Sequence, residues 1–142
     1  MIAIGSDHGG FPLKQAIIKH LEERGETFQD FGTYTEESCD FPIYAKKVAD
    51  AVASGEAEKG ILICGTGIGI SITANKVPGI RAALCGDCFS AEATRLHNDA
   101  NILALGARVV GEGLALKIVD TFLDTPFSQD ERHIRRIAKI ES

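Results

Sequence analysis

The fold of this chain is decided by one stretch, Ile61-Leu62-Ile63-Cys64-Gly65-Thr66-Gly67-Ile68-Gly69-Ile70-Ser71. Its apolar, β-branched beginning predicts a buried strand, and the alternating glycines predict a tight loop that leads into a helix. Glycine tolerates positive φ and close approach of the backbone to a ligand, while the free N–H groups of a helix's first turn attract anions. Cys64 lies at the mouth of this positive field, which favours its thiolate form.

Length, charge and cysteine content restrict the classes of protein to which this chain can belong. Its 142 residues are enough for one domain, residues 1–142, to fold without disulfides or metal. With 15 basic and 20 acidic residues the net charge is -5, so we expect neither nucleic acid nor a membrane as a partner. No run approaches about 20 apolar residues, and the four cysteines do not resemble a disulfide framework. We therefore expect a cytoplasmic protein.

Short apolar runs alternate with amphipathic segments along the whole chain. The apolar runs predict five strands, at residues 1–5, 27–31, 60–64, 80–85 and 102–105. Helical spacing of apolar residues predicts helices between them, including one capped by Ser90 and a terminal one that carries Ile134, Ile137 and Ile140. Strands that alternate with helices form right-handed crossovers. We therefore expect an α/β fold, a three-layer α/β/α Rossmann-like domain with a five-stranded parallel sheet and a C-terminal helix.

Two polar turns follow predicted strands, and both are candidates for a ligand site. Ligands of open parallel sheets bind beyond the carboxyl ends of the strands. Residues 5–10 follow the first strand and include Asp7 and His8, and residues 64–69 follow the third. If the second strand is an outer strand, the first and third are neighbours and the two turns face each other. A carboxylate, an imidazole, a thiol and several free amides would then converge.

Several motifs occur in order along nearly the whole chain, and as a set they are specific although none is unique. They are Ser6-Asp7-His8-Gly9-Gly10, residues 64–71, Ala74-Asn75-Lys76, Gly79-Ile80-Arg81-Ala82, His97-Asn98-Asp99-Ala100-Asn101, Gly106-Ala107-Arg108-Val109-Val110 and Arg132-His133. The set resembles the type B ribose-5-phosphate isomerases, a family shared with the galactose-6-phosphate isomerase subunits.

The resemblance implies a cofactor-free, metal-independent aldose–ketose isomerisation of D-ribose 5-phosphate to D-ribulose 5-phosphate through an enediolate, a step of the pentose phosphate pathway. It makes Cys64 the base for the C2 proton, a role that suits a thiol at a helix N-terminus. It makes His97 the acid of ring opening, with Asp7 assisting, while Thr66 is suited to move a proton between the sugar oxygens. The other implied substrate contacts are the loop residues Gly65, Gly67, Ile68, Gly69 and Ser71, the sugar contact Asn98, and the phosphate contacts His8, Arg108, Arg132 and Arg136.

The order of these residues along the chain has a geometric consequence. His97 and Asn98 directly precede the fifth strand, which assigns them to the amino edge of the sheet, opposite to Asp7 and Cys64. A single chain can hardly bring the two sets together. We therefore expect a homodimer, or a dimer of dimers, in which each site combines residues of two subunits.

Simpler interpretations remain open for the same residues. Cys64 could be a small buried apolar residue, Asp7 a helix cap, and His97 a cation at a helix C-terminus. The glycine loop followed by Asp87 resembles a dinucleotide-binding turn, although position 70 is Ile where the third glycine belongs. Cys85 and Cys88 have the spacing of a redox or half-zinc motif without a second ligand pair.

The identity of the sugar also stays open at this point. The alternatives are a six-carbon phosphosugar, such as allose 6-phosphate or galactose 6-phosphate, and a phosphosugar-binding regulatory subunit without turnover. Five- and six-carbon sugars differ by one hydroxymethyl unit, and the loop at residues 32–41 would sort them by pocket depth. Neither the position of this loop nor the role of Cys39 follows from the sequence.

Overall fold

Six helices alternate with five strands in the computed structural model, which describes all 142 residues. The strands are β1 (Ile2–Ser6), β2 (Phe28–Asp30), β3 (Lys59–Cys64), β4 (Ala82–Leu84) and β5 (Ile102–Gly106). The helices are α1 (Phe11–Glu23), α2 (Phe41–Ala53), α3 (Ile68–Ala74), α4 (Cys88–Asn98), α5 (Glu112–Asp124) and α6 (Glu131–Glu141). None of the six helices has the length and apolar character that crossing a bilayer requires.

All five strands are parallel and lie in the order β2-β1-β3-β5-β4. β2 is therefore an outer strand and β1 and β3 are neighbours, as the interpretation of the two polar turns required. Ser6 pairs with Ile63, and Cys64 pairs with Gly106. The segments that follow β1, β3 and β5 consequently leave the sheet side by side at its carboxyl edge.

Alternate residues of the central strands supply two apolar layers, one on each face of the sheet. Ile61 and Ile63 belong to the cluster that contains Phe122 of α5, and Leu62 belongs to the cluster that contains Val48 of α2. All five side chains are fully buried, and each contributes roughly 1.5–3 kcal/mol of hydrophobic stabilisation. The predicted α/β/α arrangement is confirmed.

Two details at the outer strand β4 differ from the sequence prediction. β4 covers Ala82–Leu84 instead of residues 80–85, because it pairs with β5 alone and has no partner on its other side. Ser90 does not cap α4; the cap is Asp87, whose Oδ1 accepts a hydrogen bond from the Ser90 amide at 2.6 Å. The prediction was wrong because a second strong capping residue stands three positions earlier.

Two glycines let the backbone follow the turns at the carboxyl edge. Gly67 has a φ of 78°, in the left-handed region where other residues are strained. A Cβ on Gly10 would lie 2.4 Å from the carbonyl oxygen of Ile63, so the start of α1 approaches β3 closely. This close approach brings the turn after β1 against the glycine loop after β3.

The substitution Gly10→Ala tests this packing. We expect it to lower the free energy of unfolding by about 1–3 kcal/mol, since the added methyl group meets backbone that cannot yield easily. Gly113→Ala is the matched control, because a Cβ there meets open space within α5, and it should stabilise the protein by up to about 1 kcal/mol. Urea unfolding measures both changes, and equal stability of the two variants would contradict the packing argument.

Candidate active site

Cys64 is the last residue of β3, and its side chain faces the glycine loop. The residue is 5% exposed, and its Sγ accepts a hydrogen bond from the Gly67 amide at 3.1 Å. The left-handed conformation of Gly67 turns the chain back over β3, which aims this amide at the sulfur. The sulfur is thus held at the start of α3 and does not point into the apolar core away from the loop, although its neighbours in the core cluster are apolar.

Some backbone amides of the glycine loop donate a hydrogen bond within the loop, and others have no acceptor there. Besides the Gly67 amide, that of Ile68 donates to Thr66 Oγ1 at 3.2 Å, and that of Ser71 donates to the Gly67 carbonyl at 3.2 Å. The amides of Gly65, Thr66, Gly69 and Ile70 have no backbone acceptor. The expected cradle of amides is therefore smaller than the sequence suggested, and the Ser71 amide is not part of it.

The turn after β1 supplies a carboxylate and an imidazole to the same edge. Asp7 is buried, and its Oδ1 accepts a hydrogen bond from the Gly10 amide at 2.9 Å. Asp7 is not the cap of α1, because the N-cap is Gly10 and no side chain caps the helix; the bond from the Gly10 amide occupies one carboxylate oxygen only. His8 is half-buried, and its Nδ1 lies 3.2 Å from the amide nitrogen of Cys39, which donates to it.

Arg108 completes the residues at this edge. It follows β5, its amide donates to the Gly65 carbonyl at 2.9 Å, and its exposed side chain runs along Gly65. A Cβ on Gly9 would lie 3.6 Å from the Gly65 amide nitrogen, so the turns after β1 and β3 do face each other. Five residues with reactive or charged side chains thus lie at this edge of the sheet, and we call them the carboxyl-edge group: Asp7, His8, Cys64, Thr66 and Arg108.

The remaining predicted site residues meet elsewhere. His97 and Asn98 end α4, and with Arg132 and Arg136 of α6 they line a cavity of about 430 Å³. The two arginines are exposed; Arg132 has one ion-pair contact, 3.4 Å from Asp130, and Arg136 has none. We call His97, Asn98, Arg132 and Arg136 the amino-edge group. The five residues of β5, roughly 13 Å of strand, separate this edge of the sheet from Cys64.

His133 is a member of this cavity that the sequence interpretation did not single out. It is 7% exposed, its ring centroid lies 4.6 Å from that of His97, and its Nδ1 lies 2.8 Å from Ser128 Oγ. Burial and the nearby His97 lower the pKa of His133 below its ordinary value. The sequence offered one indication that His133 belongs to the site, because it stands beside Arg132 in the motif Arg132-His133.

Arg81 links α4 to α6, the two helices that border this cavity. Its guanidinium donates to the Asn98 carbonyl at 2.9 Å and to Glu141 Oε1 at 2.6 Å, which joins the end of α4 to the end of α6. The side chain thereby fixes the two helices that carry the amino-edge group.

The structure disfavours the redox, zinc and dinucleotide-binding interpretations of the other motifs. Burial, together with the charge of Asp87, raises the pKa of the Cys85 thiol to about 11, unlike the lowered values of redox-active cysteines. Both carboxylate oxygens of Asp87 bond to Ser90, and β5 lies between β4 and β3. Asp87 is therefore not placed to hold a ribose beside the glycine loop. No group of three or more His, Cys, Asp or Glu side chains is arranged to hold a metal ion.

The two groups offer complementary chemistry. A thiol, a carboxylate and unused amides at the carboxyl edge suit proton transfer at a carbon and stabilisation of a developing oxyanion. A histidine and two arginines at the amino edge suit a bound phosphate and an acid for its attached sugar. The candidate base Cys64 therefore lies in one group and the candidate acid His97 in the other, while each group contains cationic or imidazole side chains that suit a phosphate.

Comparison with known proteins gives one consistent result. A model of the family described as Ribose/Galactose Isomerase matches residues 2–140. The chain is 53% identical over 139 residues to ribose-5-phosphate isomerase B of Escherichia coli (strain K12), covering 98% of this chain and 93% of that protein. A solved structure of Clostridium thermocellum ribose-5-phosphate isomerase B superposes with a TM-score of 0.97 at 58% identity, covering 99% of this chain and 94% of the other. A galactose-6-phosphate isomerase subunit of Clostridium acetobutylicum is 41% identical, covering 99% and 82%.

The lowered pKa of His133 predicts a pH dependence of stability. Since the unfolded chain takes up this proton near the ordinary value of 6.5 and the folded chain takes it up only at lower pH, acidification from about pH 7.5 to 5.5 should reduce the free energy of unfolding. His133→Gln should diminish that reduction in urea unfolding at the two pH values. His20→Gln leaves His133 unchanged and should retain it; identical pH dependence of wild type and His133→Gln would contradict the interpretation.

Proposed function

Because the chain belongs to the ribose/galactose isomerase family, we propose that it interconverts D-ribose 5-phosphate and D-ribulose 5-phosphate through an enediolate. The observation that carries the proposal is the Cys64 sulfur, held by the Gly67 amide beside loop amides that have no backbone acceptor. A basic group beside free N–H donors is what an enolisation needs.

In this mechanism Cys64 acts as the base on the open-chain sugar. Its thiolate takes the C2 proton, the C–H electron pair forms the C1–C2 double bond, and the negative charge develops on O1, where the amides of Gly65 and Thr66 stabilise it. The resulting thiol returns the proton to C1, while the Thr66 hydroxyl passes a proton from O2 to O1. The products are a C1 alcohol and a C2 ketone, so atoms and electrons balance.

The amino-edge group supplies binding and ring opening. His97 donates a proton to the ring oxygen, with the Asp7 carboxylate assisting, and Asn98 contacts the sugar. Arg132 and Arg136 lie one helical turn apart on α6, so both guanidiniums can reach one phosphate. The side chains of His8 and Arg108 complete the phosphate contacts.

We further infer that the active enzyme is a homodimer, or a dimer of dimers, with each site formed between two chains. The separation of the carboxyl-edge and amino-edge groups supports this assembly, because the mechanism uses both. Exposed apolar side chains support it as well: Ile134 and Ile140 on α6 are 48% and 60% exposed, and Ile72 on α3 is 56% exposed. A second copy that covers these surfaces would bring His97 to Cys64.

The alternatives are less well supported. The ribose-5-phosphate isomerases are more similar to this chain than the galactose-6-phosphate isomerase subunit is, at 53% against 41% identity. The occupied carboxylate of Asp87 disfavours a dinucleotide site. All four cysteines are free, which suits a reducing compartment, and we infer a one-domain cytoplasmic enzyme.

Substitution of the base tests the proposed reaction. With D-ribose 5-phosphate in deuterated water, Cys64→Ala should lose both ketose formation and C2 proton exchange, with kcat lower by about 10²–10⁴-fold. Cys88→Ala removes a thiol outside the site and should behave as wild type. Unchanged turnover of Cys64→Ala would refute the base assignment, and turnover without any C2 exchange in the wild type would point away from an enediolate.

Complementation tests the shared site. Cys64→Ala and His97→Asn are each expected to be inactive alone. After the two are unfolded and refolded together, half of the dimers are mixed and each mixed dimer has one intact site, so about a quarter of wild-type activity should return. Sites formed within one chain would give no recovery.

A further inference from the structure

Lys14 is a fully buried charged side chain that neither the sequence interpretation nor the proposed mechanism uses. It belongs to α1 and is 0% exposed. Its Nζ donates to Asp30 Oδ1 and to the Thr33 carbonyl, each at 2.6 Å, and lies 5.2 Å from the centroid of the Tyr34 ring. A buried ammonium is tolerated only where it is paired and hydrogen-bonded, so this position is specifically built for a cation.

The contacts of Lys14 fix the segment that follows β2. Asp30 Oδ1 also accepts from the Gly32 amide at 2.9 Å. The next peptide groups join the end of β1: Ser6 donates its amide to the Gly32 carbonyl, and Thr33 donates its amide to the Ser6 carbonyl, each at 2.7 Å. Lys14 therefore locks the base of the loop at residues 31–40 against the residue that precedes Asp7.

The far end of this loop touches the carboxyl-edge group. The Cys39 amide donates to His8 Nδ1 at 3.2 Å, and Cys39 Sγ lies 3.7 Å from the same nitrogen. Because Nδ1 accepts this bond, a neutral His8 carries its proton on Nε2. The loop thus sets which ring nitrogen of His8 can donate to a ligand.

We propose that Lys14 is a positioning residue for substrate binding, which acts through the loop at residues 31–40 to hold the His8 imidazole and its tautomer. This inference rests on the proposed function, in which His8 contacts the phosphate. Lys14 itself contacts no substrate. Its loss loosens the loop, weakens the bond from Cys39 to His8, and so weakens binding of the phosphosugar without altering the Cys64 chemistry.

The variant Lys14→Met keeps the length of the side chain and removes its charge and hydrogen bonds. We expect KM for D-ribose 5-phosphate to rise about tenfold, the loss of one charge-assisted hydrogen bond, with kcat within about twofold of wild type. Lys19→Met, an exposed lysine on the same helix, is the control and should match wild type. A general packing defect would instead lower the fraction of active enzyme, and hence kcat, at constant KM.

A double-mutant cycle with His8→Ala tests the route through His8. His8→Ala alone should raise KM, and adding Lys14→Met to it should raise KM no further. An equal additional rise in both backgrounds would overturn the proposal. If His8→Ala raises KM and Lys14→Met does not, only the positioning role fails; if His8→Ala leaves KM unchanged, the phosphate contact of the proposed function fails, and the positioning role with it.

The tautomer of His8 gives a readout that needs no activity. ¹⁵N NMR of the wild type should show His8 protonated at Nε2 and not at Nδ1 near pH 8, while Lys14→Met should show a mixture. Should Lys14→Met not fold, Asp30→Asn keeps an oxygen that can accept the Gly32 and Lys14 bonds while removing the negative charge, and it should shift KM and the tautomer in the same direction. A single Nε2–H tautomer in a folded variant would overturn the proposal.

Discussion

The hydrogen bond from the Gly67 amide to the Cys64 sulfur is the interaction on which the proposed chemistry depends. It requires a strand that ends on a thiol, a loop that turns back through a left-handed glycine, and a helix that begins immediately afterwards. Together these place the sulfur where amide dipoles and unused N–H groups point. The neighbouring turn of Asp7 can approach only because Gly10 has no side chain to clash with β3.

A parallel sheet imposes a second constraint. Segments that follow strands gather at one edge, and segments that precede strands gather at the other. Cys64 follows β3, whereas His97 and Asn98 precede β5, so the fold itself keeps the two groups apart. The cavity beside His97 is closed on one side by α6, a helix whose only buried residue is His133 and whose Ile134 and Ile140 remain exposed. An active site made from two chains follows from this geometry if both groups serve one reaction.

Much of this arrangement was predictable because it depends on local patterns and chain order. Alternating apolar runs gave the strands and helices, the glycine spacing gave the loop, and the position of His97 before β5 gave its edge of the sheet. The expected neighbourhood of β1 and β3, with β2 at the outside, is confirmed, whereas the order of β4 and β5 was not predicted. The cap of α4 was missed because Asp87 and Ser90 have similar capping tendencies.

The sequence could not predict contacts between residues that are distant along the chain. Lys14 stands beside the apolar stripe of α1, where a lysine normally reaches solvent, and only the fold reveals Asp30 and Thr33 within 2.6 Å of its Nζ. The burial of His133 was missed for a similar reason, because the isoleucines of α6 indicate its apolar face whereas the buried residue of the helix is the histidine. An apolar pattern marks a face without showing what covers it.

A crystal structure of the protein with D-ribose 5-phosphate, or an analogue that cannot isomerise, tests the central claim most directly. We predict that C2 of the sugar lies within about 4 Å of Cys64 Sγ, as a proton transfer requires, while the phosphate lies on Arg132 and Arg136 of a second copy of the chain. A sugar phosphate enclosed by one chain alone, or one bound with C2 remote from the sulfur, would contradict it.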